Sequence, residues 1–560
     1  MLNSTQTPYT RQLALLGALL SAVALSACGG GSSSGDSLED VVGSSSSSSV
    51  SSSSSSVSSS SSSVSGSGED FVWEQGAFPN MDDYWSLCEN PRQGVAPYNG
   101  EPYPDMAGTY IDENVFLRSF SNEFYLWYDE IIDRNPILYD TTTYFSLLVT
   151  EERTPSGALK DQFHWYENTD TYRTRQDSGV SVGYGLQWVL LSTLPPREAV
   201  IAYTVPSSSA SDAGLSRGAR ILAIDGVDLV NDDSQAGVDV LNTALFPSEV
   251  GQSHTFTVQD LGSSSSRDVV LTASELTVSA VQTTNVISTP TGDVGYMLFN
   301  NHIATAETDL AIAIESFANS GVSDLILDIR YNGGGYLDIA SELGYMIGGS
   351  NTAGKDFYTT EFNDKHPTTD PFNGNTIEPI QFHSTTLGFS EPVGQALPTL
   401  DLNRVFVLTG GNTCSASEAI MNGLAGVDVE VIQVGNPTCG KPYGAYVVDN
   451  CGLSYFTIQF KGANAKGFGD YAGGFFPGDN NSADASELPG CVVADDYEHS
   501  LGDSNEARLA TALYYRDNGS CPVEAGSKTT TGAAKSSITR SDGVMFHPPG
   551  MGDAILRGQP

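Results

Sequence analysis

Residues 404–424 run RVFVLTGGNTCSASEAIMNGL, and the architecture follows from them. Arg404–Leu408 reads as a short strand, apolar from Val405 to Leu408. Gly410 and Gly411 interrupt it, and Ala419–Leu424 has helical composition. Ser415 therefore stands where a strand turns into a helix. That position exposes a hydroxyl and aims free helical N–H groups at whatever the hydroxyl attacks. A plainer reading competes, because Ser415-x-x-Glu418 is also a capping box. Spacing alone favours the cap.

Two further strand ends flank this one. Leu325–Ile329 is aliphatic around Asp328 and runs into Arg330-Tyr331-Asn332-Gly333-Gly334-Gly335. Glycines there let backbone N–H groups approach an oxyanion closely, although a plain turn would look the same. A phosphate loop is ruled out, since no Gly-Lys-Ser/Thr follows. Val429–Val434 is the next strand and leads to Pro437-Thr438-Cys439-Gly440-Lys441. If Lys441 is buried, its charged form is penalised and its pKa falls from ~10.4 towards 7–8, where it can take a serine proton. A surface lysine in a turn is the bland alternative. With the strand-like Val294–Phe299 and the amphipathic Ala306–Ser320, alternation from Val281 onward predicts an α/β layer.

Residues 178–275 read instead as short strands with turn signals. The segment from Val205-Pro206 through Gly214-Leu215 and Ile221–Ile224 to Asp225-Gly226-Val227 resembles a PDZ domain: a short helix, a turn, then a strand ending in an Asp-Gly hairpin. Upstream, Gly183-Tyr184-Gly185-Leu186 looks like the PDZ loop that holds a peptide carboxylate. The resemblance implies that the adjacent sheet edge takes the peptide as an extra strand. A small β-barrel packed on its neighbour is the alternative. Before this, residues 70–175 look mostly helical: Phe116, Phe120, Phe124 and Trp127 within Asn114–Asp133 make one aromatic face, read as core.

Taken together, the segments from about 110 to 515 resemble the C-terminal processing (tail-specific) peptidases, serine hydrolases with a Ser–Lys dyad. The family's Asp-x-Arg-x-Asn-x-Gly-Gly is present as Asp328 to Gly335, its Ser-Ala-Ser-Glu as Ser415–Glu418, and its Gly-Lys as Gly440-Lys441. The resemblance implies Ser415 as nucleophile, Lys441 as base, and the N–H groups of Gly334 and Ala416 as oxyanion donors. No cofactor and no metal are expected. Many members carry a Gln four residues after the lysine to orient it, and here Ala445 stands in that place. If the dyad forms, Cys414 and Cys439 come close together, and a Cys414–Cys439 disulfide would brace the site; Cys439–Cys451 is the competing pair.

The chain has 560 residues, which at roughly 150 per domain allows two to four domains. A 39% hydrophobic content with 58 Gly supports a sizeable core. Against 67 Asp+Glu there are only 25 Lys+Arg, a net charge of −42 that disfavours nucleic acid and anionic lipid as partners. At the N-terminus, Arg11 and the apolar run Leu13–Leu25 suit a signal peptide. Leu25-Ser26-Ala27-Cys28 resembles a bacterial lipoprotein box, in which Cys28 is lipidated; Gly29 after it implies the outer membrane. Beyond Cys28, almost pure Ser with Gly and Val builds no core, and about forty such residues span roughly 35 Å. The six remaining cysteines fit disulfides outside the cytoplasm, and none lies in a zinc-ligand spacing.

The expected organisation is a signal peptide (1–27), a Ser-rich tether (28–69), an N-terminal helical region (70–177), a PDZ-like β domain (178–278), an α/β, crotonase-like layered peptidase core (279–524) and a disordered tail (525–560). The expected function is a lipid-anchored serine endopeptidase of the bacterial cell envelope, acting on proteins or peptides with a free C-terminal tail. A catalytically inactive tail-binding scaffold of the same fold is the alternative, and Ala445 is its best support. A polysaccharide-degrading role finds no paired carboxylates or aromatic sugar platform to support it.

Overall fold

The computed structural model describes residues 71–154, 157, 159–192, 194–478 and 484–523, and the backbone of 554–555. The signal peptide, Cys28, the tether and most of the tail lie outside the described residues.

The expected helical region is helical only in part. Helix α1 (Tyr110–Phe124) is started by a reciprocal Thr109–Asp112 capping box. It stops before Trp127, because the Leu126 N–H donates to the Ile458 carbonyl and draws the chain out of the helix. Phe116, Phe120 and Phe124 still form the core stripe, with Phe116 stacked on Phe120 and Phe124 tilted against it, while Trp127 packs edge-on against Tyr443. Residues 71–108 are mainly turns and short bridges.

Strands β1 (Val180–Gly183), β2 (Leu186–Ser192), β3 (Glu198–Thr204), β4 (Arg220–Ile224), β5 (Ser253–Gln259), β6 (Arg267–Thr272) and β7 (Ser274–Thr277), with helix α2 (Gln235–Leu245), make the PDZ-like domain. Its antiparallel sheet runs β6-β5-β4-β3-β2, while β1 pairs with β7. Asp225 and Gly226 both take positive φ, 51° and 80°, as the tight hairpin after β4 requires. Among the described residues, β2 has no strand on its outer side. Tyr184 and Phe256 lie in a core separate from that of the rest of the chain.

The second sheet is built from β8 (Val281–Thr289), β9 (Gly292–Phe299), β10 (Asp324–Asp328), β13 (Arg404–Thr409), β14 (Glu430–Gly435), β17 (Phe476–Gly478) and β18 (Glu487–Val492), in the order β8-β9-β10-β13-β14-β18-β17. From β9 to β18 every pairing is parallel. The apolar runs are continuous because both faces are covered. Val405 and Val407 pack with helices α3 (Ala306–Ser320), α4 (Leu337–Gly348) and α5 (Ala416–Gly426), whereas Phe406 and Leu408 pack with Leu509 and Ala512 of α6 (Ala507–Asn518).

A smaller sheet covers the strand ends. Its strands include β11 (Gly335–Tyr336), β12 (Asp356–Phe362), β15 (Tyr443–Ala445), β16 (Phe460–Ala463) and β19 (Ala554–Ile555). β19 corrects the expectation for the tail at one point, since the backbone of Ala554–Ile555 is hydrogen-bonded into this sheet.

Candidate active site

Three loops at the C-terminal ends of β10, β13 and β14 converge. Cys414 ends the loop after β13, and its N–H donates to the Asn332 carbonyl at 3.1 Å. Ser415 follows with φ 59° and ψ −114°, a conformation that costs on the order of 1–3 kcal/mol for a residue bearing a Cβ. The surroundings enforce it. A Cβ on Gly334 would lie 2.9 Å from both the Ser415 Cβ and the Ala416 nitrogen, so only glycine lets the two loops meet. The Ser415 hydroxyl is buried and makes no hydrogen bond among the described residues.

Glu418 organises both loops. Its Oε2 accepts from the Ser415 N–H at 2.9 Å and from the Lys441 N–H at 2.8 Å. Its Oε1 accepts from the Gly440 N–H at 2.8 Å and the Thr438 hydroxyl at 2.6 Å. Burial pushes the Glu418 pKa up, and these donors oppose the shift. The capping-box spacing thus reports a real contact, but the carboxylate does far more than cap a helix.

A disulfide joins Cys414 to Cys439, with Cα atoms 5.2 Å apart, directly beside both residues of interest. Cys451, the competing partner, is bonded instead to Cys88, and Cys491 to Cys521.

Lys441 is only 4% exposed. Desolvation lowers its pKa to about 7, against the opposing pull of the Asp161 and Glu418 charges. Its Nζ lies 4.9 Å from the centre of the Phe163 ring. Asp161 is itself buried and held by the Tyr125 hydroxyl at 2.8 Å and the Phe163 N–H at 2.7 Å. Ala445 is buried in β15. Asp161 and Phe163, which no local motif marks, supply the surroundings of the amine. Nζ and the Ser415 Oγ are not hydrogen-bonded; such pairs are often long before substrate binds.

The Gly334 and Ala416 backbones are adjacent, as the glycine contact shows. Ala416 is the first residue of α5, where helical N–H groups lack an intrahelical partner. The Gly334 N–H, by contrast, donates to Asn332 Oδ1 at 3.0 Å. That is a departure from the expected pair of free donors. Asn332 is fixed in turn by the Phe299 carbonyl and by His302 Nδ1, and burial lowers the His302 pKa to about 3. His302 is a neighbour of the turn that sequence patterning did not single out.

Arg330, fully buried, pairs with Asp328 and Glu506 and reaches Asp495 at 2.7 Å. Asp495 also receives Arg217 of the PDZ-like domain at 2.6 Å. Arg217 bonds Tyr331 as well, so the residues before the glycine turn are tied to that domain. Within the domain, the expected carboxylate loop puts Tyr184 into the core, where its hydroxyl donates to the Ala244 carbonyl. Gly185 lies against Ser208 with no room for a Cβ. What this loop can offer a ligand is backbone.

The fold and these three converging loops define a class, an α/β core whose sheet is covered on both faces, with a buried serine–lysine constellation and an attached PDZ-like domain. Residues 293–450 match the family model described as Peptidase family S41. A carboxyl-terminal-processing protease of Picosynechococcus sp. is 27% identical over 188 residues, 33% of this chain and 43% of that protein. The match thus spans less than half of that relative's length. A putative S41 protease of Bacteroides fragilis shares the fold with a TM-score of 0.54 at 21% identity, over 75% of this chain and 98% of that one. The PDZ domain of a carboxy-terminal protease from Vibrio cholerae, solved with a peptide, is 19% identical and covers 17% of this chain and 99% of that one, with a TM-score of 0.14.

Proposed function

We propose that this protein is a serine endopeptidase that cuts polypeptides bearing exposed C-terminal tails. The observation that carries the reading is Lys441. Its side chain is a buried amine with the pKa lowered to about 7, and one carboxylate oxygen of Glu418 accepts from the backbone N–H groups of Lys441 and Ser415. At neutral pH about half of such amines are uncharged and able to accept a proton. Ser415 Oγ attacks the amide carbonyl while its proton passes to Lys441 Nζ. The Ala416 N–H receives the developing oxyanion, joined by the Gly334 N–H as it is shared with or released by Asn332. Collapse transfers the Lys441 proton to the leaving amine and leaves an acyl-serine. Water, deprotonated by Lys441, then releases the acid.

Among the described residues the outer edge of β2 carries no strand, which suits a peptide added there, its terminal carboxylate held by backbone N–H groups at Gly183–Leu186. The lipoprotein-like Cys28 and the three disulfides support a site of action in the cell envelope, anchored through lipid. A tail-binding scaffold is the second reading, favoured by Ala445 and by the engaged Gly334 N–H.

A fluorophosphonate probe separates the two. The expected result is labelling at Ser415 that is absent in Ser415→Ala and strongly slowed in Lys441→Ala. An unlabelled wild-type chain that still binds tailed peptides would leave only the scaffold. Metabolic palmitate labelling that disappears in Cys28→Ser checks the anchor.

A further inference from the structure

β11 begins directly after the glycine turn, and β15 begins two residues after Lys441. These two strands do not pair with each other. Between them lies β19, parallel to both. Gly335 pairs with Ala554 and Tyr336 with Ile555 on one side; Gly444 pairs with Ala554 and Ala445 with Ile555 on the other. The chain's own C-terminal segment thus fills a gap between two strand edges. That gap is next to the nucleophile, since Gly335 follows Gly334, whose backbone touches Ser415.

An unpaired strand edge is a template for another strand, and a gap with two such edges recognises extended backbone twice over. Recognition through main-chain groups asks little of side chains. About 30 residues separate Val523 from Ala554, and at up to ~3.3 Å per residue they provide ample reach. A tethered strand is present at an effective concentration on the order of 1 mM, so it competes with any free peptide.

We propose that the gap between β11 and β15 is the cleft through which an extended polypeptide passes Ser415, and that this chain's own segment around Ala554–Ile555 is its resident occupant. The proposal rests on the peptidase reading above for its kinetic test and stands independently of it for its binding test. If the free segment binds with a Kd of about 0.1–1 mM, tethering raises the apparent KM for exogenous tails roughly twofold to tenfold.

The test uses the full chain with Ala554→Pro and Ile555→Pro, because proline removes ladder N–H groups and is not tolerated between two strands. The expected result is a twofold to tenfold fall in KM for a tailed peptide, with a synthetic peptide of residues 546–560 inhibiting the variant competitively. An unchanged KM overturns the proposal. Binding of the same peptide, fluorescently labelled, is measured in parallel on Ser415→Ala with and without Ile555→Pro. Tighter binding by the proline-bearing chain supports the occupant, and equal binding overturns it. Absence of turnover in every chain bears on the peptidase reading alone, because the binding arm still decides the occupant.

Discussion

Replacing Asp161 with Asn tests how Lys441 is kept ready. Asp161 is the larger of the two charges that hold the Lys441 pKa up against burial, and the balance leaves it at about 7. Two unit charges ~4–8 Å apart at an effective dielectric near 20 interact by roughly 2–4 kcal/mol. Even half of the lower figure moves a pKa by close to one pH unit. The sign is fixed: an anion stabilises the ammonium, so removing it lowers the Lys441 pKa below about 7. Asn retains an acceptor for the Phe163 N–H but disturbs the Tyr125 hydroxyl contact, a loss of about 1 kcal/mol that a thermal melt will register. The assay is kcat/KM for a tailed peptide between pH 4.5 and 9. The acid limb of the wild-type profile should fall near pH 7, where a single amine deprotonates. In Asp161→Asn it should lie about one pH unit lower, so that activity at pH 6 rises from about a tenth to about half of each enzyme's own plateau. The plateau itself should drop, because a weaker base accepts the serine proton less readily. A limb that stays put, or moves to higher pH, refutes the coupling between Asp161 and the amine.

Lys441→Met keeps the length of the side chain without the charge and should lower kcat/KM by at least about a thousandfold. It should also stabilise the fold, because the native state disfavours a proton that the unfolded chain holds up to pH 10.5. That penalty is on the order of 5 kcal/mol at pH 7 and below, and it shrinks as pH rises towards 10.5; urea unfolding at pH 7 and 9.5 checks both size and direction. Replacing Cys414 and Cys439 together with Ala opens a loop with a sequence separation of 25, a loss of roughly 3 kcal/mol. Activity should fall at least about tenfold with far-UV circular dichroism preserved; unchanged turnover would show that the disulfide does not brace the site.

Much of the framework was legible from local pattern. The apolar runs at 325–329, 405–408 and 429–434 are strands within a residue of their expected limits, because both faces of the parallel sheet are covered and each run must be apolar throughout. Ala306–Ser320 is helical over its full expected length. The helix at 114–133 was the clearest departure. Its aromatic spacing persists to Trp127, yet a backbone bond to Ile458, remote in sequence, ends it three residues earlier. Periodicity reports which face is buried, and a distant carbonyl decides where the helix stops.

By itself the sequence determined the local parts. It placed a serine at a strand-to-helix turn, a glycine run after a second strand, and a lysine among small residues after a third. Local geometry suffices there, since glycines and short apolar runs constrain the backbone wherever they occur. Tertiary structure alone decided what surrounds the amine: Phe163 under Lys441 Nζ, and the Asp161 charge opposing its desolvation. It also decided that Glu418 joins the two loops, that Asn332 holds the Gly334 N–H, and that Ala554–Ile555 runs beside Gly335. A pKa depends on every charge and every excluded water around a group, and those neighbours come from segments far apart in the chain, brought together only by folding.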